Sequence, residues 1–199
     1  FFHADDGIRD CLLSRGLGDV YKRQVIDLSH AGHKTAMDVV NYSKRPVAVT
    51  HANPHDWHAA PRNLKQELIQ AISETGGMLG FSLYPHHLRS GSDCTLQEFA
   101  EMVASLTKTH GSKMFGIGSD LCQDQPDSVV NWMRNGNWRK EPTASAKFPK
   151  PTNWFQSNED FPGIANGLRS AKMTDKEIAG VLGKNWMKFW QKAFLPYEG

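Results

Sequence analysis

Residues 25–30 read VIDLSH, a short run of apolar and β-branched residues that ends in a histidine. Three later segments have a similar form: PVAVTH at 46–51 and MLGFSLYPHH at 78–87 also end in histidine, and MFGIGSD at 114–120 ends in aspartate. Such runs, separated by longer segments of helical period, are typical of βα units and a parallel sheet. The sequence therefore predicts four parallel strands, at 25–28, 46–50, 78–83 and 114–117.

The segments between these runs carry helix signals. Leu64, Leu68 and Ile72 form an apolar stripe of helical spacing, and Gly76 with Gly77 marks the end of that helix. We expect this helix to begin at about Leu64 and to turn its apolar stripe toward the core.

Two further helix starts have the form of capping boxes, TLQE at 95–98 and TDKE at 174–177. Between them, residues 121–161 form a segment rich in Pro, Asn and Trp, in which we expect one helix near 128–134. The last helix carries a bulky apolar face.

Four βα units are half of an eight-stranded barrel. An open parallel sheet of four strands is the alternative. No Gly-rich phosphate-binding loop follows any predicted strand, so the phosphate binding for which such sheets are most often used is not indicated.

Composition excludes several classes of function. With 39% hydrophobic and 22% charged residues, the chain of 199 residues is typical of globular proteins. The formal net charge is +2, and the Lys and Arg residues are spread along the sequence, so no nucleic-acid interface is indicated. The three cysteines have no CxxC spacing, and no apolar run approaches the roughly 20 residues that cross a bilayer.

The start of the sequence differs from the rest. Phe1 is not an initiator methionine, and DVYKRQ at 19–24 resembles the translation of a transposon-end adapter used to prepare sequencing libraries. We therefore expect residues 1–24 to be foreign to the fold and residues 25–199 to form a partial (β/α) barrel domain. An ordinary amphipathic helix at 1–24 is the alternative.

The predicted strands end in residues that suit metal chemistry. In a barrel, function lies at the C-terminal ends of the strands. His30 and His51 end the first two strands, and imidazoles from adjacent strands can bind one zinc ion. Asp120 follows the fourth strand and would move a proton between bound water and a leaving group. One such histidine is more often structural, but their repetition at one position of the fold favours a shared site.

Arg62 lies in the loop after the second strand, within APRN at 60–63. A guanidinium fixed there offers bidentate recognition of a carboxylate. Taken alone, an arginine in a loop is more often a surface residue.

Together these motifs resemble the second half of the membrane (renal-type) dipeptidases, peptidase family M19. The resemblance rests on VIDLSH at 25–30, TH at 50–51, PRNL at 61–64 and GIGSD at 116–120, in the family's order and at its intervals. It implies the C-terminal half of a TIM-type metal-dependent hydrolase barrel. The activity implied is that of a binuclear zinc dipeptidase, in which a metal-bound hydroxide attacks the peptide bond of a small dipeptide.

The resemblance also implies roles for single residues. His30 and His51 match two zinc ligands, Arg62 matches the residue that binds the terminal carboxylate of the substrate, and Asp120 matches the catalytic acid and base. His86 and His87 fall in a substrate-loop region, and no role is carried over to either residue.

Two departures from the family pattern bear on function. Residues 121–123 read LCQ where the family usually has Phe-Asp-Gly, which indicates a different pocket wall. The family's His-x-Asp ligand pair, bridging Glu and substrate-binding His belong to the barrel half before Val25, and residues 1–24 contain none of them. We therefore expect this chain to hold at most two zinc ligands and to be inactive alone.

Two other functions remain open: a metal-dependent amidohydrolase that acts on a non-peptide amide, and a catalytically inert homologue of the barrel. Trp132, Trp138 and Trp154 would cover the mouth of the site or form the subunit interface of a homodimer, and a plain structural role for them is about equally expected.

Overall fold

The structure is a computed structural model that describes residues 25–136 and 147–195. The expectations for residues 1–24 and for Trp138 lie outside the described residues. The strands are β1 (Ala48–Ala52), β2 (Met78–Phe81) and β3 (Phe115–Ile117). The α-helices are α1 (His33–Tyr42), α2 (Gln66–Glu74), α3 (Leu96–His110), α4 (Asp127–Asn135), α5 (Phe161–Ser170), α6 (Asp175–Ala179) and α7 (Asn185–Ala193). Short 3-10 turns lie at Pro85–His87, Gly91–Asp93, Ser112–Met114 and Asn158–Asp160, and a π-helical turn at Gly180–Lys184 precedes α7.

The strands form one parallel sheet in the order β1-β2-β3. Met78 pairs with Ala48, and Leu79 pairs with Phe115. Helices connect the strands, as parallel pairing requires. The predicted parallel α/β arrangement is confirmed, with strand boundaries that differ from the predicted ones by a few residues.

The first predicted strand, 25–28, is reduced to a single bridge in which Asp27 pairs with Ala48. Leu28 N donates to Ala48 O at 2.8 Å, and Ala48 N donates to Ile26 O at 2.9 Å. Beyond this point the Asp27 carboxylate accepts the Thr50 amide, so a side chain replaces the next bond of the ladder. The apolar pattern therefore identified the correct neighbour of β1 but overestimated the length of the strand.

The larger core lies between one face of the sheet and helices α1, α2, α3 and α5. Phe81 stacks on Phe115 with ring centroids 5.0 Å apart and meets the edge of Phe99 on α3. Leu68 and Ile72, on the predicted stripe of α2, are fully buried in this core. Their burial confirms that the stripe faces the core.

Helix α7 covers the opposite face of the sheet with its aromatic side chains. Phe189 packs with Ala48 and Met78, and Trp186 donates its indole N–H to Ile117 O at 3.0 Å. A Cβ on Gly116 would lie 2.2 Å from the Trp186 indole nitrogen, so the ring approaches the strand more closely than any side chain at 116 would permit.

The predicted helix signals agree with the structure. Thr95 and Glu98 form a reciprocal capping box at α3, as do Thr174 and Glu177 at α6. Gly76 has a φ of +69°, which is the left-handed conformation expected after α2. Helix α4 lies close to the helix expected near 128–134.

The tryptophans of the segment 121–161 have different environments. Trp154 donates its indole N–H to Cys94 O at 2.7 Å and packs against Phe99, which makes it part of the core. Trp132 on α4 is 65% exposed. Within residues 25–136 and 147–195, no helix is both long enough and apolar enough to cross a bilayer.

Candidate functional site

His30 and His51 meet at the edge of the sheet where the strands end. Their Nε2 atoms are 3.1 Å apart and their ring centroids 5.1 Å apart. His51 lies on β1, and His30 follows the segment that pairs with β1 at Asp27. Parallel pairing brings both ends to the same edge, which is why the strand pattern alone could predict their proximity.

Asp27 organises the backbone beneath this histidine pair. Its Oδ1 accepts the Ser29 amide at 3.0 Å, the Ser29 hydroxyl at 2.6 Å and the Thr50 amide at 3.0 Å, and its Oδ2 accepts the Thr50 hydroxyl at 2.6 Å. Burial opposes ionisation of Asp27, but these four hydrogen bonds outweigh it and hold the pKa of the carboxyl below its ordinary value. The residues adjacent to both histidines are thus bound to one carboxylate.

The spacing of the two imidazoles fits two corners of a metal site. Two nitrogen ligands at typical zinc distances and a tetrahedral angle are about 3.3 Å apart. Over the described ranges, no group of three or more His, Cys, Asp and Glu side chains is placed to hold a metal ion.

The surroundings of His30 favour its neutral form. Burial, the guanidinium of Arg62 and the ring of His51 together lower the pKa of His30 below its ordinary value. A neutral imidazole is the form that binds a metal.

Arg62 lies beside this pair and is close enough to affect the pKa of His30. Its Nη1 and Nη2 atoms are buried and have no hydrogen-bond partner in the part of the chain that the structure describes. Burial lowers the pKa of the guanidinium, and the carboxylates of Asp120 and Asp27 partly offset this effect. Because buried Nη atoms without hydrogen-bond partners are costly, this geometry favours an anion as their partner.

Asp120 lies on the other side of the same region. Its charge affects the pKa of both His30 and Arg62, and it lines a pocket with Tyr84, Cys122 and Phe148. The residue has a φ of +52°, in the left-handed region that few residues other than glycine adopt. The structure therefore brings the four residues singled out in the sequence, His30, His51, Arg62 and Asp120, to one edge of the sheet.

His87 also belongs to this region, although sequence reasoning assigned it no role. It is buried, with 5% of its surface exposed, and its Nδ1 is 2.7 Å from the Ser82 hydroxyl. Burial and the nearby charges, first Arg62 and then His51, lower the pKa of His87 to about 4. The signal in the sequence was its position after the third strand, the same signal that identified His30 and His51.

Two buried asparagines hold the turn that carries His87. The Asn53 amide group donates to Ser82 O at 3.0 Å and to His87 O at 3.1 Å, and the Asn63 amide group donates to His87 O at 3.0 Å. Asn63 also accepts the backbone amide of Asn53 at 3.1 Å. The loops after β1 and β2 are thereby fixed to each other directly next to Arg62.

Comparison with known proteins places this arrangement in a family. Residues 23–133 match the model of the family described as membrane dipeptidase (peptidase family M19). This match covers more than half of the chain and includes all four of the residues singled out in the sequence. A relative described as an uncharacterized dipeptidase of Schizosaccharomyces pombe is 23% identical over 174 residues, which cover 86% of this chain and 36% of the relative.

Solved structures show the same fold. An amidohydrolase from Pseudomonas aeruginosa superposes with a TM-score of 0.77 at 27% identity, covering 85% of this chain and 52% of that chain. A metallo peptidase from Rhodobacter sphaeroides, liganded with a phosphinate mimic of the dipeptide L-Ala-D-Ala, superposes with a TM-score of 0.69 at 19% identity and covers 95% and 47% of the two chains. The chain therefore spans about half of these structures and has the α/β fold of a partial barrel.

Proposed function

The chain belongs to the membrane dipeptidase family, peptidase family M19, and from this premise we propose that it supplies part of the site of a zinc-dependent dipeptidase. The observation that carries the proposal is the juxtaposition of two imidazole Nε2 atoms 3.1 Å apart with the Arg62 guanidinium, whose buried Nη1 and Nη2 atoms lack a partner among the described residues. The first arrangement suits a cation and the second suits a carboxylate. A substrate with a terminal carboxylate and an adjacent amide bond would use both.

His30 and His51 are the residues that would hold the metal. Their spacing fits two ligands of one zinc ion, and the lowered pKa of His30 favours the neutral ring that a metal binds. Further ligands are required to complete the site. Zinc bound there supplies Lewis acidity, which polarises a carbonyl and acidifies water.

Arg62 is proposed to bind the C-terminal carboxylate of the substrate. Its two free Nη atoms match the two oxygens of a carboxylate in a bidentate arrangement. Binding would satisfy a guanidinium that the described residues leave without hydrogen bonds, so recognition would add contacts without breaking existing ones. It would also fix the distance between the substrate's carboxylate and the histidine pair.

Asp120 is proposed to take the proton from the attacking water and give it to the departing amine. Its carboxylate lies close enough to His30 and Arg62 to affect both pKa values, which supports a position near the proposed substrate. Proton transfer by one positioned carboxylate typically contributes 10²- to 10⁴-fold to the rate.

The first test is zinc binding by the 199-residue chain, measured by isothermal titration calorimetry. We expect binding that falls at least tenfold in His51→Ala. His110→Ala is the matched control, because His110 ends α3 at the opposite edge of the sheet and pairs with Gln66. A chain that binds no zinc, or binds equally in both variants, would overturn the proposed metal site.

The second test follows release of alanine from L-Ala-D-Ala by chromatography, with and without a chelator. The 199-residue chain alone is expected to release no alanine. When the other half of an M19 barrel supplies the further ligands, hydrolysis should require zinc and fall about 100-fold or more in Asp120→Asn. Full hydrolysis by this variant would exclude the proton-transfer role. A completed barrel that binds zinc but releases no alanine would favour the inert homologue.

A non-peptide amide is the second candidate substrate, because the protein with a TM-score of 0.77 is described as an amidohydrolase. The same assay with N-acetyl-alanine separates the candidates, since this compound keeps the carboxylate and the amide but lacks the free amine. Faster release of alanine from N-acetyl-alanine than from the dipeptide would favour the amidohydrolase.

A further inference from the structure

Thr50 stands between the Asp27 carboxylate and the ring of His51. Its hydroxyl oxygen is 2.6 Å from Asp27 Oδ2 and 3.0 Å from His51 Nδ1. A threonine hydroxyl has one proton to donate and two lone pairs that accept. Which neighbour receives that proton therefore decides which nitrogen of the His51 ring carries a hydrogen.

The hydrogen bonds around Asp27 determine where the Thr50 proton goes. Two backbone amides, those of Ser29 and Thr50, can only donate, and both are 3.0 Å from Asp27 Oδ1. The Ser29 and Thr50 hydroxyls approach the same carboxylate at 2.6 Å, a distance typical of a hydroxyl that donates to a charged oxygen. The Thr50 proton is thereby committed to Asp27, and the oxygen can only accept from His51.

We propose that Asp27 and Thr50 are positioning residues that fix the tautomer of His51, so that Nδ1 carries the proton and Nε2 keeps its lone pair. The Nε2 lone pair then points at His30 Nε2, 3.1 Å away. In the metal-free chain His30 must donate its Nε2 proton to His51, so the two rings have opposite tautomers. The consequence for metal binding rests on the proposed function, whereas the tautomer itself does not.

The same carboxylate also fixes the backbone of His51. The Ser29 hydroxyl gives its proton to Asp27 and accepts the His51 amide at 3.1 Å. Asp27 thus holds the ring through Thr50 and the main chain through Ser29. Metal-ligating histidines commonly depend on such outer partners, whose loss lowers metal affinity about 10- to 100-fold.

The tautomer can be read directly from imidazole ¹⁵N chemical shifts in the metal-free chain. The nine histidines are labelled with ¹⁵N, and the signals of the pair are assigned with His30→Gln and His51→Gln. We expect a protonated Nδ1 and an unprotonated Nε2 in His51, and the reverse in His30. Wild-type rings with the opposite pattern would overturn the inference.

Three variants separate fixation of the tautomer from a general structural effect. Thr50→Val removes the hydroxyl and should release His51 to its Nε2–H form, whereas Thr50→Ser should retain the wild-type shifts. Asp27→Asn keeps the hydroxyl but supplies an amide that can donate to it, so the Thr50 proton turns to His51 Nδ1 and the tautomer reverses. Thr109→Val, on the exposed face of α3, is the control and should change neither ring. Unchanged His51 shifts in folded Thr50→Val and Asp27→Asn would overturn the inference.

Zinc titration of the same variants tests the consequence for binding. We expect affinity to fall about 10- to 100-fold in Thr50→Val and to recover in Thr50→Ser. If the shifts behave as expected but the wild type binds no zinc, the proposed function fails and the fixed tautomer stands. If zinc binds and the shifts do not respond, the fixed tautomer fails and the proposed function stands.

Discussion

Acidification should destabilise the chain through His87, the buried histidine beside Arg62. Its pKa is about 4 in the folded chain, against an ordinary value of 6.5. Between these values the unfolded chain binds the additional proton, so the free energy of unfolding rises with pH. The stabilisation is complete above about pH 6.5 and is lost as the pH falls toward 4.

The size of the effect follows from the separation of the two pKa values. Each pKa unit corresponds to about 1.4 kcal/mol in the free energy of unfolding, so the separation sets an upper bound of about 3 kcal/mol. Because solvent screens part of this effect, we expect the free energy of unfolding to fall by about 2 kcal/mol between pH 7 and pH 4.5. Urea unfolding followed by circular dichroism at both pH values measures it. The quantity of interest is the loss in the wild type minus the loss in His87→Gln, because carboxyl groups titrate equally in both proteins.

His86→Gln is the matched control, since His86 is the exposed neighbour of His87 in the same 3-10 turn. This variant should keep most of the pH dependence of the wild type, because His86 lowers the pKa of His87 less than burial, Arg62 and His51 do. An identical pH dependence in the wild type and His87→Gln would refute the reasoning, because it would mean that burial of this ring does not oppose its protonation.

Three further substitutions test the packing of the site and its scaffold. Arg62→Met should raise the free energy of unfolding by about 1 kcal/mol while abolishing binding of a phosphinate dipeptide mimic. The reason is that it removes two buried Nη atoms that have no hydrogen-bond partner among the described residues. A loss of stability in urea would contradict this. Gly116→Ala should lower the free energy of unfolding by about 2–3 kcal/mol, since its Cβ would collide with Trp186. Gly163→Ala, in open space on α5, is the control and should not lower it. Equal melting temperatures for the two variants would refute the close approach of Trp186 to Gly116. Thr95→Ala should lower the free energy of unfolding by about 1 kcal/mol, because it removes the N-terminal cap of α3. An unchanged urea midpoint would mean that the cap contributes nothing to stability.

The parts of the fold that sequence predicted are those encoded by neighbouring residues. The capping box at Thr95 and the left-handed Gly76 depend on contacts within a few positions, and both were predicted at the right place. The proximity of His30 and His51 needed only one further rule, that parallel strands end at the same edge. The function of the pair is not settled by that rule and remains a proposal.

The missed features depend on contacts between distant residues. The first strand was predicted too long because nothing in its own residues reveals that the Asp27 side chain would replace a ladder bond to Thr50. The burial of His87 was missed because the turn that carries it is held by Asn53 and Asn63, which follow a different strand. Periodicity also identified the apolar face of α7 without indicating which face of the sheet Trp186 would cover.

Asp120 shows why position and chemistry have to be tested separately. Its φ of +52° is a conformation that Asp, Asn and Gly adopt more readily than other residues, so the backbone alone would favour an aspartate at 120. Its presence in the motif therefore has a conformational explanation that is independent of catalysis. Asp120→Ala would confound the two, since it alters both the charge and the backbone preference. Asp120→Asn keeps the preference and removes only the charge, so any loss of hydrolysis in that variant can be assigned to the carboxylate itself.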